Sequence, residues 1–176
     1  MVFTGRLLDI KMKALILIGA APNTKEDFNN LIKIGLTDFD VLCVGKNSMK
    51  HCDQLTIKYF ATYHPEDIPK NLDKTYQVIC HKHHQGLVDI VKPIDLQKEA
   101  SGSSALLGAL VGIELGYKKI VLCGCPLEGK NPKGHPYEVF QKGWKEKENV
   151  VNEKVRSMSG WTKQFLGKPT IDWLEC

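Results

Sequence analysis

The chain has 176 residues, enough for one domain with a proper core and few for two. Apolar residues make up 43% and charged residues 25%, as in an ordinary globular domain, and no apolar run approaches the roughly 18 residues of a membrane helix. The net charge of +4 is uneven, with eleven Lys/Arg against five Asp/Glu over residues 118–168; a basic half suits an anionic partner and a solvated lysine-rich helix alike, so charge alone decides nothing.

Residues 1–11 carry no clear pattern, and MKALILIG from Met12 reads as a natural opening. Residues 13–19 form the first buried strand. Residues 14–21, after Lys11 and Lys13, resemble a signal-peptide core but run into Pro22 and Asn23 without a convincing cleavage site. The loop GAAPN, residues 19–23, follows. Thr24 is placed as the helix N-cap, with Asp27 three residues on completing a reduced capping box. The helix is predicted to run to about Ile34, with Phe28, Leu31, Ile32 and Ile34 inward, and Gly35 stops it. Strand, glycine-bearing loop and helix are the opening of a doubly wound nucleotide-binding fold, although GAAPN lacks the GxGxxG fingerprint.

Further buried strands are predicted at 40–45, 58–62 and 75–80, with a short one at 88–91 and a helical turn started by Pro65. Residues 101–127, SGSSALLGALVGIELGYKKIVLCGCPL, organise the rest: a small-residue loop, an apolar helix ended by Gly116, and a strand at 120–123. Gly108 and Gly112, one helical turn apart, let that helix lie close to a sheet. An amphipathic helix is then predicted over 138–155, its apolar members being Val139, Phe140, Trp144, Val150, Val151 and Val155. The six cysteines (43, 52, 80, 123, 125 and 176) form no CxxC pair and read as reduced, mostly buried thiols of a cytoplasmic protein.

The loops after successive strands should gather on one edge of the sheet, and they hold most of the unusual small and polar residues. Ser101, Gly102, Ser103 and Ser104 offer N–H groups and hydroxyls at a helix start, where anions bind; serines there also cap helices without binding anything. Asn47 and Ser48 stand where doubly wound folds meet a nucleoside, or simply make a turn. His135 has the chemistry of a general base, or is an exposed turn residue before Pro136. Arg156, beside Ser157, Ser159 and Gly160, can grip phosphate bidentately. Trp144, Trp161 and Trp173 suit base stacking or burial. His81, His83 and His84, with Cys80, invite a metal, but on a strand His84 opposes the other two, so no metal is assigned. Gly-x-Ser-x-Gly is absent, which argues against a hydrolase nucleophile elbow.

The stretch 101–127, which ends in LGYKKIVLCGCPL (115–127), resembles the serine/glycine-loop unit of a Rossmann-like group that includes lipooligosaccharide-type bacterial sialyltransferases and archaeal 6-hydroxymethylpterin diphosphokinase-like proteins. LILIGAAPN stands where that group has a GxGPS-like turn, and VLCVGKNS where it has a strand and an Asn-bearing loop. Two departures are Ala-Ala-Pro-Asn after Gly19 and Cys125-Pro126 in place of the aspartate after the last strand's glycine. The tail, VRSMSGWTKQFLGKP, is similar to uncharacterised phage and prophage proteins.

The expectation is therefore one Rossmann-like domain over 1–176, with 1–12 as an extension and 137–176 as a C-terminal helical part. It has a doubly wound, mainly parallel sheet of five or six strands, with helices on both faces. A nucleotide or nucleotide-sugar is expected at the carboxyl edge, compatible with magnesium. In a glycosyl-, diphosphoryl- or nucleotidyl-type transferase, Gly19, Asn23, Gly124 and Ser101–Ser104 would hold phosphates and Asn47 the ribose or base. His135 would be the base, and Arg156 would neutralise leaving-group charge. The alternative is a non-catalytic phage-type module that binds a nucleotide or a protein. No membrane contact is expected, and no recognised motif supports nucleic acid.

Overall fold

Val-, Ile- and Leu-rich runs with little alternation are the pattern of strands buried on both faces, and here they assemble one all-parallel sheet. The computed structural model describes residues 13–70, 75–131 and 134–176, so the reading of Met12 as the start lies outside the described residues. The strands are β1 (Ala14–Ile18), β2 (Phe39–Val44), β3 (Ile57–Thr62), β4 (Gln77–Cys80), β5 (Ile90–Val91), β6 (Ile120–Cys123) and β7 (Val155–Ser157). Their order is β5-β4-β3-β2-β1-β6-β7. The helices are α1 (Thr24–Lys33), α2 (Ser104–Glu114), α3 (Glu138–Glu146), α4 (Glu148–Val151), α5 (Gly160–Leu166) and α6 (Ile171–Glu175).

The chain starts in the middle of the sheet and steps outward from β1 to β5. It then returns over α2 to place β6 on the other side of β1. Side chains alternate between the two faces. Leu15 and Leu17 of β1 pack with α2, Trp144 of α3 and Val151 of α4. Ile16 and Ile18 pack with Leu31 of α1, Met158 and Trp173 of α6. Among the described residues, the connections β2–β3 and β3–β4 hold 3-10 turns, Lys46–His51 and Pro65–Asp67. Gly108 and Gly112 do bring α2 onto the sheet: a Cβ at Gly108 would lie 3.0 Å from Leu42, and one at Gly112 2.6 Å from Leu15.

Several expectations are corrected. The sheet has seven strands, not five or six, because the predicted helix over 138–155 does not run through. It breaks at Lys147, and Val155 pairs instead with Ile120 of β6, whose outer edge would otherwise stand unpaired. Val150 and Ile32, expected inward, are exposed. The N-cap of α1 is Asn23, one residue before the predicted Thr24, and no capping box forms. Five cysteines are buried and Cys176 is exposed; all six are free. Among the described residues no helix is long and apolar enough to cross a membrane.

At the amino edge of the sheet Asp40 joins three elements. It pairs with Lys13 and Lys58, each at 2.7 Å, and accepts a hydrogen bond from the Tyr117 hydroxyl. Burial alone would raise its pKa, but these partners outweigh burial and hold it at about 2. This is structural chemistry at the end away from the carboxyl edge.

Candidate functional site

In an open α/β sheet the ligand crevice lies outside the carboxyl ends of the strands where the strand order reverses. Here that point falls between β1 and β6, as the expectation for Gly19 and Gly124 requires. The chain itself fills it. Gly19 N–H donates to Cys123 O at 2.8 Å, and Ala21 N–H to Gly124 O at 3.3 Å. A Cβ on Gly19 would overlap the Gly124 carbonyl, and one on Gly124 would overlap Thr24 Oγ1. The two glycines are small because the two loops touch each other.

Asp27 is the hub of that contact. Its Oδ2 accepts from Gly124 N–H at 2.9 Å, from Ser159 Oγ at 2.6 Å and from Asn23 Nδ2 at 3.3 Å, and the residue is 6% exposed. A carboxylate at the first turn of α1 also answers the positive end of the helix dipole. An internal anion thus occupies the position where a phosphate was expected. Asn23, predicted to hold phosphate, is half-buried and engaged with Asp27.

The serine loop is likewise tied inward. Ser103 Oγ accepts from Leu106 N–H at 3.1 Å as a true N-cap, and from Trp144 Nε1 at 3.3 Å. Ser104 Oγ accepts from Tyr63 N–H at 2.9 Å, and Ser101 N–H donates to Val139 O. Gly102 leaves no space: a Cβ would lie 2.8 Å from the Tyr63 ring. The hydroxyls of Ser103 and Ser104 serve packing between α2, α3 and the loop after β3.

The remaining expected residues do not converge. Asn47 is exposed on the turn after β2, while neighbouring Ser48 is buried and donates to Gly45 O at 2.7 Å. His135 is exposed on the loop leading to α3. The Arg156 guanidinium donates to the carbonyls of Asn152 and Val155 and stacks on Trp173, with its centre 5.2 Å from that ring. It braces the start of β7 rather than facing the carboxyl edge. Trp144 is fully buried, and Trp161 stacks on Phe165 at 4.9 Å. His81 stacks on Tyr63 at 4.3 Å, and no metal-binding group of side chains occurs among the described residues.

Sequence reasoning missed the cleft that the fold does build. It encloses about 270 Å³ between α1 and the stretch that follows β2, and is lined by Ile18, Thr24, Lys25, Asn29, Lys50, His51 and Asp53. Ile18 is the last residue of β1, so the cleft opens at the carboxyl edge, on the α1 face. Its outer wall is anchored by the buried thiols: Cys52 Sγ donates to Ser48 O at 3.7 Å, and Cys43 Sγ lies 2.8 Å from Ser48 Oγ. Neither Lys25 nor Lys50 pairs with a carboxylate among the described residues. The lining residues share no motif that would mark the place in the sequence.

The chain matches no protein-family model, and neither curated proteins nor solved structures give a significant match.

Proposed function

We propose that the protein binds a nucleotide or nucleotide-sugar at the carboxyl edge of its sheet, in the cleft between α1 and the Lys46–His51 turn. The observation that carries this reading is the cleft itself: two unpaired lysines, an imidazole and an amide around a partly apolar hollow beside β1. Its volume, about 270 Å³, falls just below the roughly 300 Å³ at which ligand sites begin, so it suits one end of a nucleotide, with the remainder in solvent. Lys25 and Lys50 supply charge for phosphate, Asn29 and Gln54 supply hydrogen bonds, and Phe28 and Leu55 supply apolar walls. The resemblance to the sialyltransferase and pterin diphosphokinase-like group points to the same ligand class.

A transferase of the glycosyl or nucleotidyl type also needs a base beside the bound ligand. The residues expected as base and as charge-neutralising group, His135 and Arg156, do not line the cleft, whose one imidazole is His51; the second reading is a binding module without turnover.

A thermal-shift panel of nucleotides and nucleotide-sugars, with and without magnesium, tests the proposal. A ligand at a hundred times its Kd adds about 2.7 kcal/mol, which raises Tm by about 8 °C in a chain of this size. Replacing both lysines (Lys25→Ala with Lys50→Ala) should remove most of that rise while leaving the ligand-free Tm within about 1 °C, because exposed side chains contribute little to stability. A panel without a hit, or a hit unaffected by the double substitution, contradicts the reading.

A further inference from the structure

We infer that His51 is a phosphate anchor of the cleft that takes up a proton as a phosphoryl anion binds, so that the favoured ligand end is a di- or monophosphate. This deepens the nucleotide reading and rests on it for the location of the site.

The geometry comes first. His51 lines the cleft with both ring nitrogens buried, and neither makes a hydrogen bond of full geometry, although the Ala20 carbonyl approaches the ring. A buried donor or acceptor without a partner is costly to leave unmade. An oxygen of a ligand seated in the cleft would supply the missing partner.

The charges around the ring are one-sided. Lys50 on its own turn and Lys25 on α1 are the cations that face it; Asp53 opposes them, and the loop between β1 and α1 contributes the Ala20 carbonyl. Burial and then Lys50 push the imidazole below its usual range, against the smaller pull of Ala20 and Asp53. Both effects favour the neutral ring.

An anion seated between the two lysines reverses this balance. It offsets the repulsion from Lys25 and Lys50 and offers an oxygen to the ring, so the pKa of His51 rises and the ring gains a proton from solvent. By linkage, a group that binds a proton more tightly in the complex strengthens binding as pH falls. Affinity therefore climbs as pH drops through the bound-state pKa and levels off below that of the free protein.

The test is calorimetric titration with ADP, and with inorganic pyrophosphate as a base-free probe, in two buffers of different ionisation heat. Wild type and His51→Gln are compared from pH 6 to pH 8. Relative to His51→Gln, which cancels the probes' own titration, wild type should take up an extra fraction of a proton per ADP and gain about fivefold in affinity from pH 8 to pH 6. ADP binding with the same proton uptake in both proteins overturns the role of His51 and leaves the nucleotide reading standing. Pyrophosphate binding with the extra proton, but no ADP binding, upholds His51 and removes the nucleotide. Silence with both probes overturns both. Should His51→Gln fail to fold, the His51 imidazole is titrated by NMR in wild type with and without pyrophosphate. A rise of about one pH unit in its midpoint is expected, and an unchanged midpoint overturns the proposal.

Discussion

Gly124→Ala is expected to lower stability by about 3 kcal/mol or more, through left-handed strain of about 1–2 kcal/mol and overpacking of about 1–3 kcal/mol. Gly124 has φ +70°, and its Cβ would overlap Thr24 Oγ1 and lie 2.7 Å from Thr24 Cβ. In a chain of this length the loss corresponds to a fall in Tm of about 10 °C. Gly129 is the natural control: its φ is +72°, but nothing lies within 4 Å of an added Cβ. Gly129→Ala should therefore cost only the conformational part, about 1 kcal/mol. Thermal or urea unfolding of the two variants separates the contributions. Equal losses at 124 and 129 would mean that the loops after β1 and β6 do not meet as described.

Asp27→Ala comes next, at about 3 kcal/mol, because it leaves the buried Gly124 N–H and the Ser159 hydroxyl without their acceptor. Asp27→Asn should cost about half as much, since an amide oxygen still accepts while the charge at the first turn of α1 is lost. The hub also predicts coupling. The pair Asp27→Ala with Ser159→Ala should be less damaging than the sum of the single changes by about 1 kcal/mol or more, as for contacting residues in one network. Additive losses in equilibrium unfolding would remove the Asp27–Ser159 bond from the account.

The sequence made the centre of the fold readable and left its margin obscure. β1, β6 and α2 are apolar runs bounded by glycines, and each was placed to within a residue or two. β7 is three residues long, and Val155 continues the helical period of Val151, so local pattern alone favours a longer helix. Only the neighbouring edge of β6 decides otherwise. The crevice at the strand-order reversal was also legible, through Gly19 and Gly124. Whether two glycines cradle a phosphate or each other depends on Asp27, 97 residues from Gly124 and 132 from Ser159. The cleft escaped for a related reason: α1 and the turn after β2 contribute ordinary residues to it, and it exists only once the Cys43–Ser48–Cys52 contacts fold that turn against α1.

The most direct test of the central claim is a titration of the ¹⁵N-labelled protein with ADP, following backbone amide shifts. The account predicts the largest changes at Thr24, Lys25, Asn29, Lys50, His51 and Gln54, the lining of the cleft. Ser101–Ser104 and Gly124, already committed to internal hydrogen bonds and packing, should move little. Changes centred on Gly19, Gly124 and the serine loop, with the α1 cleft unmoved, would contradict it and return the ligand to the crevice between β1 and β6.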